Sequence, residues 1–302
     1  MTAIYFDPAF DDRERRRRLY EGAVVVLSPR PETVALCEHA RAMIEEAFAP
    51  HDPRRIHEAL PVEACVEILA RLKPAFIHHP RSKELIGALL AAMGCDPEDT
   101  YFDVPRLRIV PAGGYLSSGV SYAYKAHRDI WYASPTAQVN WWMPVFAVTG
   151  ARAMSFYSEY WHTPLPNSSA DFDYGEWCSV GRKMATSQIK EDTRKHPLPK
   201  NDPDPASELR LCGTKGDMIL FSASQLHATA PNESDVTRFS IDFRTVALSD
   251  LASGRGAHNV DSRATGSTLG DFLHATDFAP IPDPGKYARP LAHARKSESA
   301  HA

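Results

Sequence analysis

The rhythm of apolar and polar positions changes near residue 100. Before it, apolar residues recur at helical spacing. Leu36, Ala40, Met43, Ile44 and Phe48 form one stripe across residues 31–47. Two further helices are predicted over 62–72 and 82–93, the second opened by Ser82 as N-cap with Glu84 soon after. Residues 11–19 carry Arg13 and Arg15 to Arg18 among a few acids and predict a helix with a solvated face. Residues 22–28 read as a short buried strand. His78 and His79 are adjacent and diverge on any regular element; Pro74 and Pro80 bracket them as a loop, and structural roles are expected for both.

From residue 102 the pattern alternates with period two. Residues 104–110 place Arg106 and Arg108 on one face. A strand over 121–131 would put Lys125, His127, Asp129 and Trp131 on its inner face, with Arg128 turned away. In 137–145, Gln138, Asn140 and Trp142 share a face. In 238–244, Phe239, Ile241 and Phe243 oppose Arg238, Ser240, Asp242 and Arg244. Apolar outside and polar inside suits a barrel wall whose exterior is covered by other elements. Gly216-Asp217 and Pro231-Asn232 mark turns.

The predicted organisation is one domain over 1–302, mainly β with flanking helices. An N-terminal strand and helices (1–100) pack on a β core (101–247). An irregular aromatic and polar stretch, 153–210, is expected to be a lid-like insertion that selects the substrate. Residues 248–302 form an extension whose end, 296–302, is expected to be disordered.

Composition narrows the function classes. The formal net charge is −4, which gives no reason to expect nucleic acid or an anionic membrane as partner. No apolar run approaches the roughly 18 residues of a membrane helix, and the N-terminus lacks a basic-then-apolar leader. Five scattered cysteines, none in C-x-x-C spacing, fit reduced thiols in a cytoplasmic protein.

The candidate chemistry lies in two stretches. His127 and Asp129 stand two apart, and His227 supplies a second imidazole far along the chain. Two imidazoles and a carboxylate on one face of a cation, with the opposite positions open, is the ligand set of non-haem Fe(II) oxygenases. Arg238, with the Ser240 hydroxyl beside it, can hold a carboxylate by a planar fork and one further hydrogen bond. Gln138, Asn140 and Trp142 are candidates to line the same pocket. Lys125, Arg106 and Arg244 are candidate anion contacts, and Trp131 a candidate substrate contact.

On His127-Arg128-Asp129, on residues 216–221 leading to His227, and on Arg238-Phe239-Ser240, the chain resembles the Fe(II)/2-oxoglutarate-dependent dioxygenases. Within them it is most similar to the phytanoyl-CoA-dioxygenase-like group. The resemblance covers residues 104–247 and, more loosely, the N-terminal third. It implies a double-stranded β-helix of jelly-roll type, Fe(II) on His127, Asp129 and His227, and the distal carboxylate of 2-oxoglutarate on Arg238 and Ser240. It further implies consumption of O2, release of succinate and CO2, and hydroxylation of a small-molecule metabolite, with desaturation or ring closure as variants. Asp129 argues against a halogenase, where a small residue replaces the carboxylate. Kinases also carry His-Arg-Asp, but the Asn, the glycine-rich loop and the Asp-Phe-Gly that accompany it there are missing. Two alternatives stand beside this reading. One is a cupin-like metalloenzyme that does not use 2-oxoglutarate; the other is a non-catalytic binding protein on the same fold.

Overall fold

A computed structural model describes residues 3–288. The N-terminal part runs β1 (Ile4–Phe6), α1 (Asp12–Tyr20), β2 (Val24–Leu27), α2 (Pro31–Phe48), α3 (Ile56–Ala59), α4 (Val62–His78) and α5 (Pro80–Ala92). Strands follow: β3 (Thr100–Asp103), β4 (Arg106–Val110), β5 (Val139–Pro144), β6 (Met154–Tyr157), β7 (Glu208–Leu211), β8 (Met218–Ser222), β9 (His227–Thr229), β10 (Arg238–Ala247) and β11 (Phe272–His274).

These strands form two sheets. The larger has the order β1-β2-β8-β5-β10-β3-β11, with β4 also paired to β10, and the smaller has the order β7-β6-β9. All pairs are antiparallel except β1 with β2. The alternation predicted from the sequence decides what each face does. Leu107, Ile109, Trp141, Met143, Leu220, Phe239, Ile241 and Phe243 point outward into one core with Leu36, Ile44 and Phe48 of α2, Leu69 and Phe76 of α4, and Ile86 of α5. On the opposite face, Trp142, Ile219 and Phe221 pack against Met154, Phe156 and Leu211 of the smaller sheet. The sheets therefore face one another, and the polar inner residues of β4, β5 and β10 line the space left between them.

Several expectations need correction. The helix expected to end at residue 72 continues through Pro74 to His78, because Phe76 extends its buried stripe. His78 and His79 are thus no loop: one ends α4, and the other caps α5, its Nδ1 accepting the Arg81 N–H at 3.1 Å. Ser82 is not the cap but is fully buried, 3.1 Å from His39 Nε2. In α1, only part of the arginine run is solvated. Arg15 is buried and donates to the Met93 carbonyl at 3.0 Å and to Asp12 at 2.6 Å, while Arg17 and Arg18 pair with Glu14 at the surface.

The irregular insertion runs over 158–207, since Met154–Tyr157 and Glu208–Leu211 at its edges are strands of the smaller sheet. The segment after β10 is built into the fold: Leu248–Ser253 is helical, and β11 pairs with β3. The expected disordered end, 296–302, lies outside the described residues. No helix among the described residues is long and apolar enough to cross a membrane.

Candidate metal centre and its cavity

His127 and His227 meet through their backbones before their side chains do. Each donates its N–H to the other's carbonyl, at 2.9 and 3.0 Å, which sets the rings side by side with centroids 4.3 Å apart. His127 Nδ1 lies 2.8 Å from the Lys125 carbonyl and His227 Nδ1 lies 2.9 Å from the Gln225 carbonyl. A carbonyl only accepts, so each Nδ1 carries the proton and each Nε2 presents its lone pair. Both Nε2 atoms face Asp129 Oδ1, at 3.4 Å and 3.7 Å.

Asp129 arrives there by a different route from the one the sequence suggested. The pairing ends at His127, and Asp129–Tyr132 is a turn of 3₁₀ helix. That turn swings the carboxylate back toward the imidazoles, and its Oδ2 accepts Gln138 Nε2 at 3.0 Å. The three ligand atoms lie within 4.8 Å of one another, and all three residues are buried.

The electrostatics suit a divalent cation. Burial pushes His227 down to about 4, and His127 beside it adds to the effect, so the imidazole is neutral at physiological pH. Burial disfavours the ionised form of Asp129, but the neighbouring His127 and the charge of Arg244 outweigh it and hold the carboxyl well below its ordinary range. Two imidazole nitrogens and one carboxylate oxygen are a suitable donor set for iron, and the remaining directions open into a cavity of about 670 Å³.

Arg238 lines the same cavity and is buried. Its Nη1 donates to the Arg152 and Ala153 carbonyls at 3.2 and 3.1 Å, and its Nε has no partner. No carboxylate among the described residues pairs with it. The Ser240 hydroxyl, two residues on, is fully buried and equally without a partner. Burial and the nearby Arg108 push the guanidinium down to about 10, with Asp242 acting the other way, so it stays charged at neutral pH. A buried cation without a counter-ion beside an unpaired hydroxyl is a cradle for an anion brought in from outside.

The other candidates divide. Gln138, Asn140 and Trp142 line the cavity, and Gln138 Nε2 also donates to Asn140 Oδ1 at 2.8 Å. Arg106 and Arg244 line it too, but both are committed to Asp103, which also accepts the Arg244 backbone N–H at 2.7 Å. Lys125 is exposed and supplies only its carbonyl. Trp131 is fully buried away from the cavity, packed with Ile130 and Leu226, its indole N–H donating to Asp261 at 2.7 Å. The 3₁₀ turn accounts for Trp131, since it breaks the alternation after His127; Lys125 precedes it, in a stretch that is not strand.

Sequence reasoning missed Asp103, Asp261, Lys73 and a cluster of aromatics. Arg128, turned away as expected, is fully buried and donates to three carbonyls and to Asp261. Tyr124 and Tyr132 flank His127 at centroid distances of 5.1 and 5.4 Å, and His196 of the insertion stacks on Tyr122 at 3.8 Å. Alternation would have put Tyr122 and Tyr124 on the face opposite His127, and nothing local pointed to His196.

The chain matches no family model and no curated protein. Among solved structures it is similar to EvdO2 from Micromonospora carbonacea var. aurantiaca, with 14% identity over 80% of this chain and 92% of that one, at a TM-score of 0.47. EvdO2 complexed with 2-oxoglutarate gives 15% identity over the same shares at 0.46. The epimerase SnoN, in complex with Fe3+, alpha ketoglutarate and nogalamycin RO, gives 16% over 78% and 85% at 0.40. Likenesses at these TM-scores carry no argument, so the functional reading stands on the site itself.

Proposed function

We propose that the chain is an Fe(II)- and 2-oxoglutarate-dependent oxygenase acting on a small molecule, with hydroxylation as its default outcome. The observation that carries the reading is the pair of sites on one cavity. One is a His127–Asp129–His227 ligand set; the other is Arg238, which lines the cavity and has no counter-ion among the described residues, with the buried, unpartnered Ser240 hydroxyl two residues on, behind the lining. The strand order supports it. Strands β4, β10, β5 and β8 neighbour one another in one sheet, and His127, β9, β6 and β7 do so in the other, and the double-stranded β-helix is part of this proposal.

In this reading His127, Asp129 and His227 hold the iron, and Arg238 with Ser240 orients the far carboxylate of the co-substrate. Bound iron with 2-oxoglutarate would supply the oxidising power for C–H chemistry as succinate and CO2 are released. The protein's own contributions are positional. Gln138 fixes the Asp129 carboxylate, the Lys125 and Gln225 carbonyls fix the imidazole tautomers, and Tyr174, Trp177, Arg182 and Arg194 of the segment 158–207 line the cavity. Membership of the phytanoyl-CoA-dioxygenase-like group is part of the same proposal.

The test is anaerobic titration of the protein with Fe(II) and 2-oxoglutarate, which should produce a weak visible charge-transfer band. Alanine at His127, Asp129 or His227 should remove the band. Arg238→Ala should keep iron but raise the 2-oxoglutarate requirement by about 2–5 kcal/mol, a shift of about 30-fold or more. An unchanged 2-oxoglutarate affinity would move the clamp elsewhere. Metal binding without any band would favour a cupin-like enzyme that does not use the co-substrate.

A further inference from the structure

Two cations of the cavity have no carboxylate partner among the described residues. Arg106 and Arg244 share Asp103, Arg108 is held by Asp242 at 2.6 and 3.1 Å, Arg182 by Asp271 at 2.6 Å and Arg194 by Asp192 at 2.6 Å. Arg238 and Lys73 are left. If Arg238 serves the co-substrate, as proposed above, Lys73 alone remains.

Lys73 projects from α4, an element outside the two sheets, and lines the cavity. Its Nζ donates to the Val120 carbonyl at 2.5 Å, and no carboxylate among the described residues forms an ion pair with it. An ammonium has three donors, so this contact leaves two. The side chain lies deep in the protein yet keeps accessible surface. Burial pushes the ammonium down to about 7; Arg108, Arg194 and Arg106 add to the effect, and Asp242 opposes it. A bound anion would restore the charge.

Between this cation and the metal ligands the walls are aromatic. Arg108 lies over the Tyr124 ring at 5.1 Å, Arg194 over Trp177 at 5.3 Å, and Tyr124 abuts His127. A molecule with a negative end and a flat apolar body would lie along this wall, its far end directed at the metal.

We propose that Lys73 is the counter-ion for the substrate's carboxylate, and that the cavity takes an organic monocarboxylic acid with an apolar body; this rests on the oxygenase reading. Lys73 offers the substrate a single cation, which suits a single carboxylate; each cavity arginine other than Arg238 already has a carboxylate partner.

The experiment uses the full chain, loaded anaerobically with Fe(II) and saturated with 2-oxoglutarate until the visible band is constant. A panel of aryl and alkyl monocarboxylic acids, beginning with 3-phenylpropionate, is then titrated beside the matched amides and phenyl phosphate, with calorimetry and the band's shift as readouts. An acid of the panel should bind at least about tenfold more tightly than its amide. Lys73→Met should abolish that preference and Lys73→Arg should retain it. Equal binding of acid and amide, absence of binding by every acid, tighter binding of phenyl phosphate, or a preference that survives in Lys73→Met would each overturn the assignment. Failure of the band to form in the wild-type protein would instead overturn the oxygenase reading itself, before any acid is added.

Discussion

Burial at single residues changes what their chemistry can do. Cys37 and Cys95 are pushed up to about 12 and Cys65 to about 11, in each case chiefly by burial, whereas Cys212 is exposed. A thiol attacks as its thiolate. Reaction with a disulfide reagent at pH 8 should therefore modify Cys212 rapidly in the native protein and reach Cys37, Cys65 and Cys95 only after denaturant; rapid loss of all thiols would contradict this burial pattern. The same scale shows where reading the sequence succeeded. His127, Asp129, His227 and Arg238 were legible because each carries unusual chemistry within an alternating or motif-like context. Arg106 and Arg244 were legible as inward cations, but their engagement was not. Asp103, which takes both, stands at the end of β3; Arg106 follows three residues on, but only the pairing of β3 with the far end of β10 brings Arg244 to it.

The elements follow from two periods and are corrected by packing. In β10, Phe239, Ile241 and Phe243 are all fully buried against the helices, and Phe243 stacks on Trp141 at 5.5 Å. Phe243→Ala should cost about 3–5 kcal/mol through the cavity it leaves, read as a lower midpoint in urea. A cost below about 1 kcal/mol would mean this face is not the core contact between sheet and helices. The strand predicted over 121–131 shows the limit of period counting. Alternation placed His127 and Asp129 together, and they are together, but a 3₁₀ turn puts them there. The turn also sends Trp131 into a separate apolar cluster, while Lys125, in the irregular stretch before it, is in solvent.

At the scale of the molecule, distant segments are tied by buried charge. Arg128, between the two ligand residues, is fully buried, and Asp261 is its carboxylate; Asp261 also accepts the Leu165 N–H of the insertion at 2.9 Å. Asp261→Ala should cost about 3–5 kcal/mol by leaving a buried charge unpaired. It should also weaken metal affinity by about tenfold, as loss of a supporting contact does. Calorimetric titration with a divalent metal checks the second effect, and unchanged affinity would confine Asp261 to a structural role.

The ion pairs also set the acid limit. In Asp242, Asp192 and Asp271 burial disfavours ionisation, but Arg108, Arg194 and Arg182 respectively prevail and hold the carboxyls below the ordinary range. A pKa lower in the folded than in the unfolded chain gives stability that is complete above the unfolded value of about 3.9 and lost as pH falls through the folded one. The melting temperature should be level from about pH 8 to 5 and fall as pH drops below about 4; a level profile down to pH 2 would show that these pairs contribute little.

The sequence by itself determined the local grammar: which segments alternate, which wind, which face of each is apolar, and which few residues carry metal-binding chemistry. Those properties depend on neighbours within a few positions, so a linear reading captures them. Only the tertiary structure decided which charges cancel. Asp103 with Arg244, Asp261 with Arg128, Asp242 with Arg108 and Asp271 with Arg182 join residues far apart along the chain, and they leave Lys73 unmatched. Ion pairing depends on distance in space, and the chain fixes that distance only when it closes on itself.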